Sequence, residues 1–368
     1  MRIFLLLVLL LAVAPAAAQS EDIEALGATF DTLIPSLLER YNVPGMAIAI
    51  IHDGELAWSA GYGVSDLDTD APVTPDTPFH AASIAKVMTA WAAMGLVEAN
   101  ELDLDAPITD YLTRWELPLG RFRAEDVTAR RLLSHTAGTV PEGYHGYEPD
   151  ADLPTLEEFL SESPDGAVSV IMQPGITFSY SGGGYQVMQL ALEEITGQPF
   201  GDYMQSTLFE PLALENSSFM WSSEVATNYF SNGQRETGVI HIDQAAGGLY
   251  TSVNDLATFL ASLLSDGEEA PGRGLITPES VEAIFTPAQA TRDEYGFGVY
   301  IDTRPNQPRL IWHDGIGNAR SLFALLPESG EGLIIMTNKF NGVQMFSTIR
   351  CAWDEWLEED LSAWCRGL

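Results

Sequence analysis

Ser83 and Lys86 stand three places apart in the stretch Phe79-His80-Ala81-Ala82-Ser83-Ile84-Ala85-Lys86-Val87-Met88, at the head of an apolar run that reaches Val97. Helical spacing places residues i and i+3 on one face, so a hydroxyl and an amine project together. The chain has two lysines, Lys86 and Lys339, against fifteen arginines. A lysine loses its proton readily when buried, and an arginine does not. The pair therefore reads as a nucleophile beside a base.

Two further segments carry chemistry-bearing types. Phe178-Ser179-Tyr180-Ser181-Gly182-Gly183-Gly184-Tyr185 is a glycine-rich turn before a helix, where Tyr180 can relay a proton beside a lysine. Ile311-Trp312-His313-Asp314-Gly315-Ile316-Gly317 ends an apolar strand. There His313 can steady charge or orient a substrate, and a backbone N–H can meet a developing oxyanion. On the connection from Ser134 to Pro154, Tyr144-His145-Gly146-Tyr147 places Tyr144 and Tyr147 where they would rim a pocket.

The elements that must hold these residues follow from periodicity. Ile23 to Arg40 is predicted as an amphipathic helix, and Met46 to Ile51 with Glu55 to Tyr62 as a hairpin turning at Asp53-Gly54. Helices are expected at 83–99, 128–133, 155–161, 185–196, 200–208, 253–264 and 278–285. Strand patterns return at Tyr295 to Ile301, Leu310 to His313, Ser321 to Leu326 and Gly332 to Thr337, before a last helix at Val343 to Leu357. Strands at both ends with helices between predict an α+β sandwich. An antiparallel sheet would come from about 19–82 and 286–368, with a mainly helical region at about 83–285.

Met1-Arg2, the apolar stretch Ile3 to Val13 and the small residues to Ala18 have the pattern of a secretory signal cleaved after Ala18. The apolar core is too short for a stable membrane anchor. A secreted or periplasmic domain at 19–368 is the expectation. Seventeen basic against 52 acidic residues give a net charge of −35, a surface that repels nucleic acid and anionic membrane. Cys351 and Cys365 are the two cysteines. An unbroken helix would hold them about 21 Å apart, so pairing requires the chain to fold back between them. Asp66, Asp68 and Asp70 mimic the start of a calcium loop, but Ala71 and Thr77 occupy positions that need Gly and Glu. The six histidines show no metal spacing, and neither a Gly-x-Ser-x-Gly elbow nor a Walker loop occurs, so no metal or cofactor is expected.

Ser83-x-x-Lys86, Tyr180-x-Gly182 and His313-Asp314-Gly315, in that order, resemble the three motifs of the serine β-lactamase and penicillin-binding-protein superfamily. The branch most similar contains class C β-lactamases, D-stereospecific peptidases and family VIII-type esterases. Leu132-Leu133-Ser134-His135-Thr136-Ala137-Gly138, Gln173-Pro174-Gly175, Ala246-Gly247-Gly248-Leu249-Tyr250 and Tyr295-Gly296-Phe297-Gly298 extend the likeness. The resemblance implies attack by Ser83 to form an acyl-enzyme, proton transfer by Lys86 and Tyr180 with either as the base, and an oxyanion hole at the N–H groups of Ser83 and Ile316. Gly182 stands where relatives usually carry Asn, and His313-Asp314 where they carry a Lys-Thr type pair. These departures disfavour carboxylate-bearing substrates, and Arg320 is a candidate to compensate. An esterase on small esters is the leading expectation, with a D-amino-acid peptidase, DD-carboxypeptidase or β-lactamase second. A non-catalytic module binding peptidoglycan or a partner is the alternative of another class. The sequence does not fix the oligomeric state.

Overall fold

The computed structural model describes residues 16–305 and 307–357. Most of the expected signal segment, and Cys365, lie outside the described residues. Cys351 is disulfide-bonded. Among the described residues no helix is long and apolar enough to cross a membrane.

Helix α1 (Ala16–Tyr41) is followed by β1 (Gly45–His52), β2 (Glu55–Asp66), β3 (Ala71–Pro72) and β4 (Phe79–Ala82). The helical block starts with α2 (Ala85–Glu98) and α3 (Ala129–Leu133), then β5 (Thr139–Val140), α4 (Leu156–Glu162) and β6 (Ser169–Val170). It continues through α5 (Gly182–Thr196), α6 (Phe200–Met204), α7 (Gln244–Gly247), β7 (Leu249–Thr251), α8 (Val253–Ser262) and α9 (Pro278–Ile284). The chain returns to strand with β8 (Tyr300–Asp302), β9 (Leu310–Ile316), β10 (Arg320–Leu326) and β11 (Glu331–Thr337), and α10 (Val343–Leu357) follows.

Seven strands form one antiparallel sheet in the order β3-β2-β1-β11-β10-β9-β8. The first and last parts of the chain meet at its centre, where β1 pairs with β11 and Ile48 faces Ile335. Side chains of β1 alternate: Ala47, Ala49 and Ile51 join a core shared with α2, α5 and α8, while Met46, Ile48 and Ile50 pack under α1 and α10. Burial on both faces is why this strand reads as an unbroken apolar run. The α+β sandwich with its terminal sheet and inserted helices is thus the observed architecture.

One local expectation is corrected. Tyr295 to Ile301 is not one strand, because only Tyr300–Asp302 pairs with β9. Gly296 N–H turns back to the Val299 carbonyl, and Gly298, at φ +71°, lies so close to the Lys86 carbonyl that a Cβ there would sit 2.5 Å from it. The segment wedges against α2 instead of extending. Within the mainly helical region, β7 pairs antiparallel with β4. Asp66 and Asp68, read as a failed calcium loop, both engage the Arg235 guanidinium.

Candidate active site

Ser83 lies just before α2 rather than inside it: Ile84 is the N-cap residue and the Lys86 N–H closes a turn onto the Ser83 carbonyl at 3.1 Å. Ala82 immediately upstream holds φ +48°, a left-handed conformation that costs a residue with a Cβ about 1 kcal/mol or more. The surroundings enforce it. The Ser321 hydroxyl donates to the Ala81 carbonyl at 2.9 Å, and a Cβ on Gly315 would lie 2.2 Å from that same oxygen. Only glycine lets β9 approach β4 this closely, and the approach pushes Ser83 into a cleft.

Lys86 points from a helix that is buried nearly all round and is itself 2% exposed. Its Nζ donates to the Ala246 carbonyl at 2.5 Å and to Ser83 Oγ at 3.4 Å, over the rings of Tyr180 at 4.8 Å and Tyr185 at 5.4 Å. Burial pulls the ammonium down to about 7, against the opposing pull of Asp243 and Asp314. Near neutral pH a large fraction is free amine, the form a base requires.

Tyr180 hydrogen-bonds Ser83, and burial raises its hydroxyl well above the ordinary phenol value despite that bond. It is a protonated phenol at neutral pH. His135 packs against its ring at 4.2 Å and accepts the Ser181 N–H at 3.0 Å, which fixes the turn before α5. His135 is a buried positioning residue that the sequence presented as part of a motif without a role.

His313 is buried. Its Nδ1–H donates to the Asp314 carbonyl at 2.7 Å, so Nε2 accepts from the Tyr295 hydroxyl at 3.3 Å. Burial, and then the neighbouring Lys86, push the imidazole down to about 3, so it is neutral. Of the two roles expected of His313, steadying charge or orienting a substrate, a neutral imidazole with both nitrogens engaged suits the second. Asp314 pairs in register with Leu322, on the face covered by α1 and α10. Arg320 and Arg350 offset the rise that burial imposes on its carboxyl. Arg320, which could not be placed from sequence, thus balances Asp314 and stacks on Phe340 at 4.2 Å.

The cleft has a volume of about 660 Å³. Ser83, Lys86, Tyr180, Gly182, His313, Asp314, Ile316 and Tyr144 all line it. Ile316, at the end of β9, is 63% exposed on the rim. Gly315 lies beneath the lining, and Tyr147 lies off it, tied by backbone bonds to Ile240 at 2.8 and 2.7 Å. A side chain at Gly182 would start 3.0 Å from the Glu142 carbonyl and 3.2 Å from the Tyr144 ring. The 142–144 loop therefore occupies the space an Asn would need.

Sequence reasoning missed His80, His241, Asp243, Glu142, Glu236 and Tyr300, all on the lining. His80 donates to the Gly247 carbonyl at 2.8 Å and stacks on His241, with ring centroids 4.6 Å apart. His241 Nδ1 meets Asp243 Oδ1 at 2.9 Å. Burial opposes ionisation of Asp243, but His241 and Lys86 outweigh it and hold the carboxyl below its usual range. The available signal was His241-x-Asp243, two residues apart, next to the Ala246-Gly247-Gly248 motif.

Comparison with known proteins agrees with this geometry. Protein flp of Staphylococcus aureus (strain NCTC 8325 / PS 47) is 23% identical over 330 residues, covering 84% of this chain and 62% of its own length. This chain therefore spans under two thirds of that relative. The putative penicillin-binding protein PbpX of Bacillus subtilis is 25% identical over 321 residues, 84% of this chain and 73% of the relative. Penicillin-binding protein 4 of Amycolatopsis lactamdurans is 35% identical over 182 residues, half of this chain and 46% of the relative. Among solved structures, the octameric penicillin-binding protein homologue from Pyrococcus abyssi superposes with a TM-score of 0.75 at 25% identity, covering 90% of this chain and 77% of that one. SurE with D-Leu superposes at 0.73 and 25%, covering 91% and 76%. The Beta-lactamase family model matches residues 30–350, and with the seven-stranded sheet and the Ser83, Lys86 and Tyr180 cluster inside that span, the chain belongs to this family.

Proposed function

We propose that the protein is an exported serine hydrolase that works through an acyl-enzyme on Ser83, with small esters lacking a carboxylate as its leading substrates. The observation that carries this is the convergence of Lys86 Nζ and the Tyr180 hydroxyl on Ser83 Oγ, with the lysine held near pKa 7. Lys86 suits the role of base, because Tyr180 keeps its proton. As Oγ attacks, its proton moves to the amine and then, by way of Tyr180, to the leaving group. The oxyanion is received by the N–H groups of Ser83 and Ile316.

The substrate reading rests on charge. The side-chain charges of the cleft are Glu142, Glu236 and Asp243 against Lys86, and the imidazoles of His80 and His313 are neutral at physiological pH. A substrate carboxylate would enter a predominantly negative site. A peptidase acting on D-amino-acid substrates is the second reading, favoured by the likeness to SurE, solved with D-Leu, and to chains named as penicillin-binding proteins. Export rests on the charged, apolar and small-residue pattern of residues 1–18.

Brief exposure to an activated ester, a fluorophosphonate, a penicillin and a D-Ala-D-Ala peptide, followed by intact-protein mass spectrometry, tests the proposal. The ester and fluorophosphonate are expected to label wild type and not Ser83→Ala, with the penicillin labelling least. No adduct with any reagent would sink the hydrolase reading and leave a binding module. Preferential labelling by penicillin would overturn the substrate reading.

A further inference from the structure

We infer that His241, oriented by Asp243, is the base that activates water for hydrolysis of the acyl-enzyme, a role separate from that of Lys86 and Tyr180 in forming it. The inference rests on the acyl-enzyme reading of Ser83. Deacylation needs two proton transfers in different places: one onto Ser83 Oγ as it leaves, one away from the attacking water. Lys86 and Tyr180 both address Oγ, and Lys86 Nζ is also committed to the Ala246 carbonyl. The water therefore calls for another group.

Among the described residues, four histidines line the cleft: His80, His145, His241 and His313. His80 gives its Nε2–H to the Gly247 carbonyl, and burial holds its pKa down to about 3. His313 has both nitrogens engaged, by Asp314 and Tyr295. His145 bonds Asp165 at 2.5 Å, but its side chain is 94% exposed at the mouth. His241 differs from all three. It is buried, its Nδ1 is held by the ionised Asp243, and its ring is clamped by stacking on His80 three residues before Ser83. A carboxylate on Nδ1 fixes the N–H tautomer there and leaves Nε2 as the acceptor, an arrangement that also stabilises the imidazolium once a proton arrives. Asp243 also acts on Lys86, which ties the pair to the nucleophile's surroundings. The backbone bonds between Tyr147 and Ile240 hold the segment leading into His241.

The step balances as follows. The water oxygen bonds the acyl carbon while one of its protons passes to His241 Nε2. The bond from that carbon to Ser83 Oγ then breaks as Oγ takes the Tyr180 proton, and the imidazolium's proton returns through cleft water to Tyr180. The products are a free carboxylic acid and the serine hydroxyl.

The test follows an activated ester by stopped flow and intact mass on wild type, His241→Gln and His241→Ala, with thermal melts to establish folding. Wild type should show a burst and turnover. His241→Gln should keep the burst, slow steady-state turnover about 100-fold and accumulate the acyl adduct. His241→Ala should regain turnover with added imidazole, which a purely structural role would not predict. Turnover of His241→Gln at the wild-type rate, equal slowing of burst and turnover, or absence of imidazole rescue in folded His241→Ala overturns the inference and leaves the Ser83 hydrolase standing. A wild type that never acylates overturns both.

Discussion

The two faces of the central sheet treat charge differently, and β9 shows how. On its inner face His313 is neutral, set among Tyr295, Tyr180 and Lys86, beside the cleft. One residue on, Asp314 turns to the outer face, where its field falls on Arg320 and Arg350. Burial lowers both guanidinium groups, Arg350 to about 10. Neighbours along a strand cannot share a face, so His313-Asp314 is not a working pair in spite of its adjacency. His241 and Asp243, two residues apart, do meet. The inner face is thus built for chemistry at some expense in stability, and the outer face for cohesion.

That contrast can be broken most severely at Lys86. Lys86→Met should lower the acylation rate with an activated ester by about 10³- to 10⁴-fold in stopped flow. Its melting temperature should hold or rise, because a buried amine is replaced by an apolar chain of similar size. A matched loss of both would show that the inner face is structural. On the outer face, Ile349→Ala, fully buried between α10 and the sheet, should cost about 3 kcal/mol in denaturant unfolding while the burst rate stays at wild type.

A smaller effect is expected where the inner face has been filled. Gly182→Asn, placing there the side chain that the motif resemblance implies, collides with the Glu142 carbonyl and Tyr144 and should destabilise by about 2 kcal/mol without conferring penicillin turnover. The smallest effect is electrostatic. Acylation should fall about tenfold per pH unit below 7 and level off above it, because the reactive amine is lost as Lys86 takes up its proton. Asp314 favours that proton, so Asp314→Asn should move the midpoint to lower pH by less than about one unit, read from the pH profile of the burst rate. A shift upward would contradict the placement of its charge.

The sheet and most helices were legible because their signals are local. The alternation in α1, the apolar run of β1 and the span of α10 each follow from neighbouring residues. Ser83, Lys86, Tyr180 and His313 were legible as short motifs. His80 and His241 were not, since they meet through the pairing of β4 with β7, across more than 160 residues of chain that carry no pattern marking the contact. The Gly182 site illustrates the same limit: the missing side chain was visible, while the loop from Glu142 that fills its place was not. Tyr295 to Ile301 failed differently, since its composition suits a strand but its glycines serve a close approach to α2.

The pairing of β1 with β11 has a consequence for how the chain is made. Ile48 obtains its neighbour Ile335 only after the whole helical region between them has been made, so the middle of the sheet closes late. Contacts of such long sequence separation form slowly. Until β11 arrives, the edge of β1 that it covers has no partner in the sheet, an opening for mispairing with another chain that the finished fold removes.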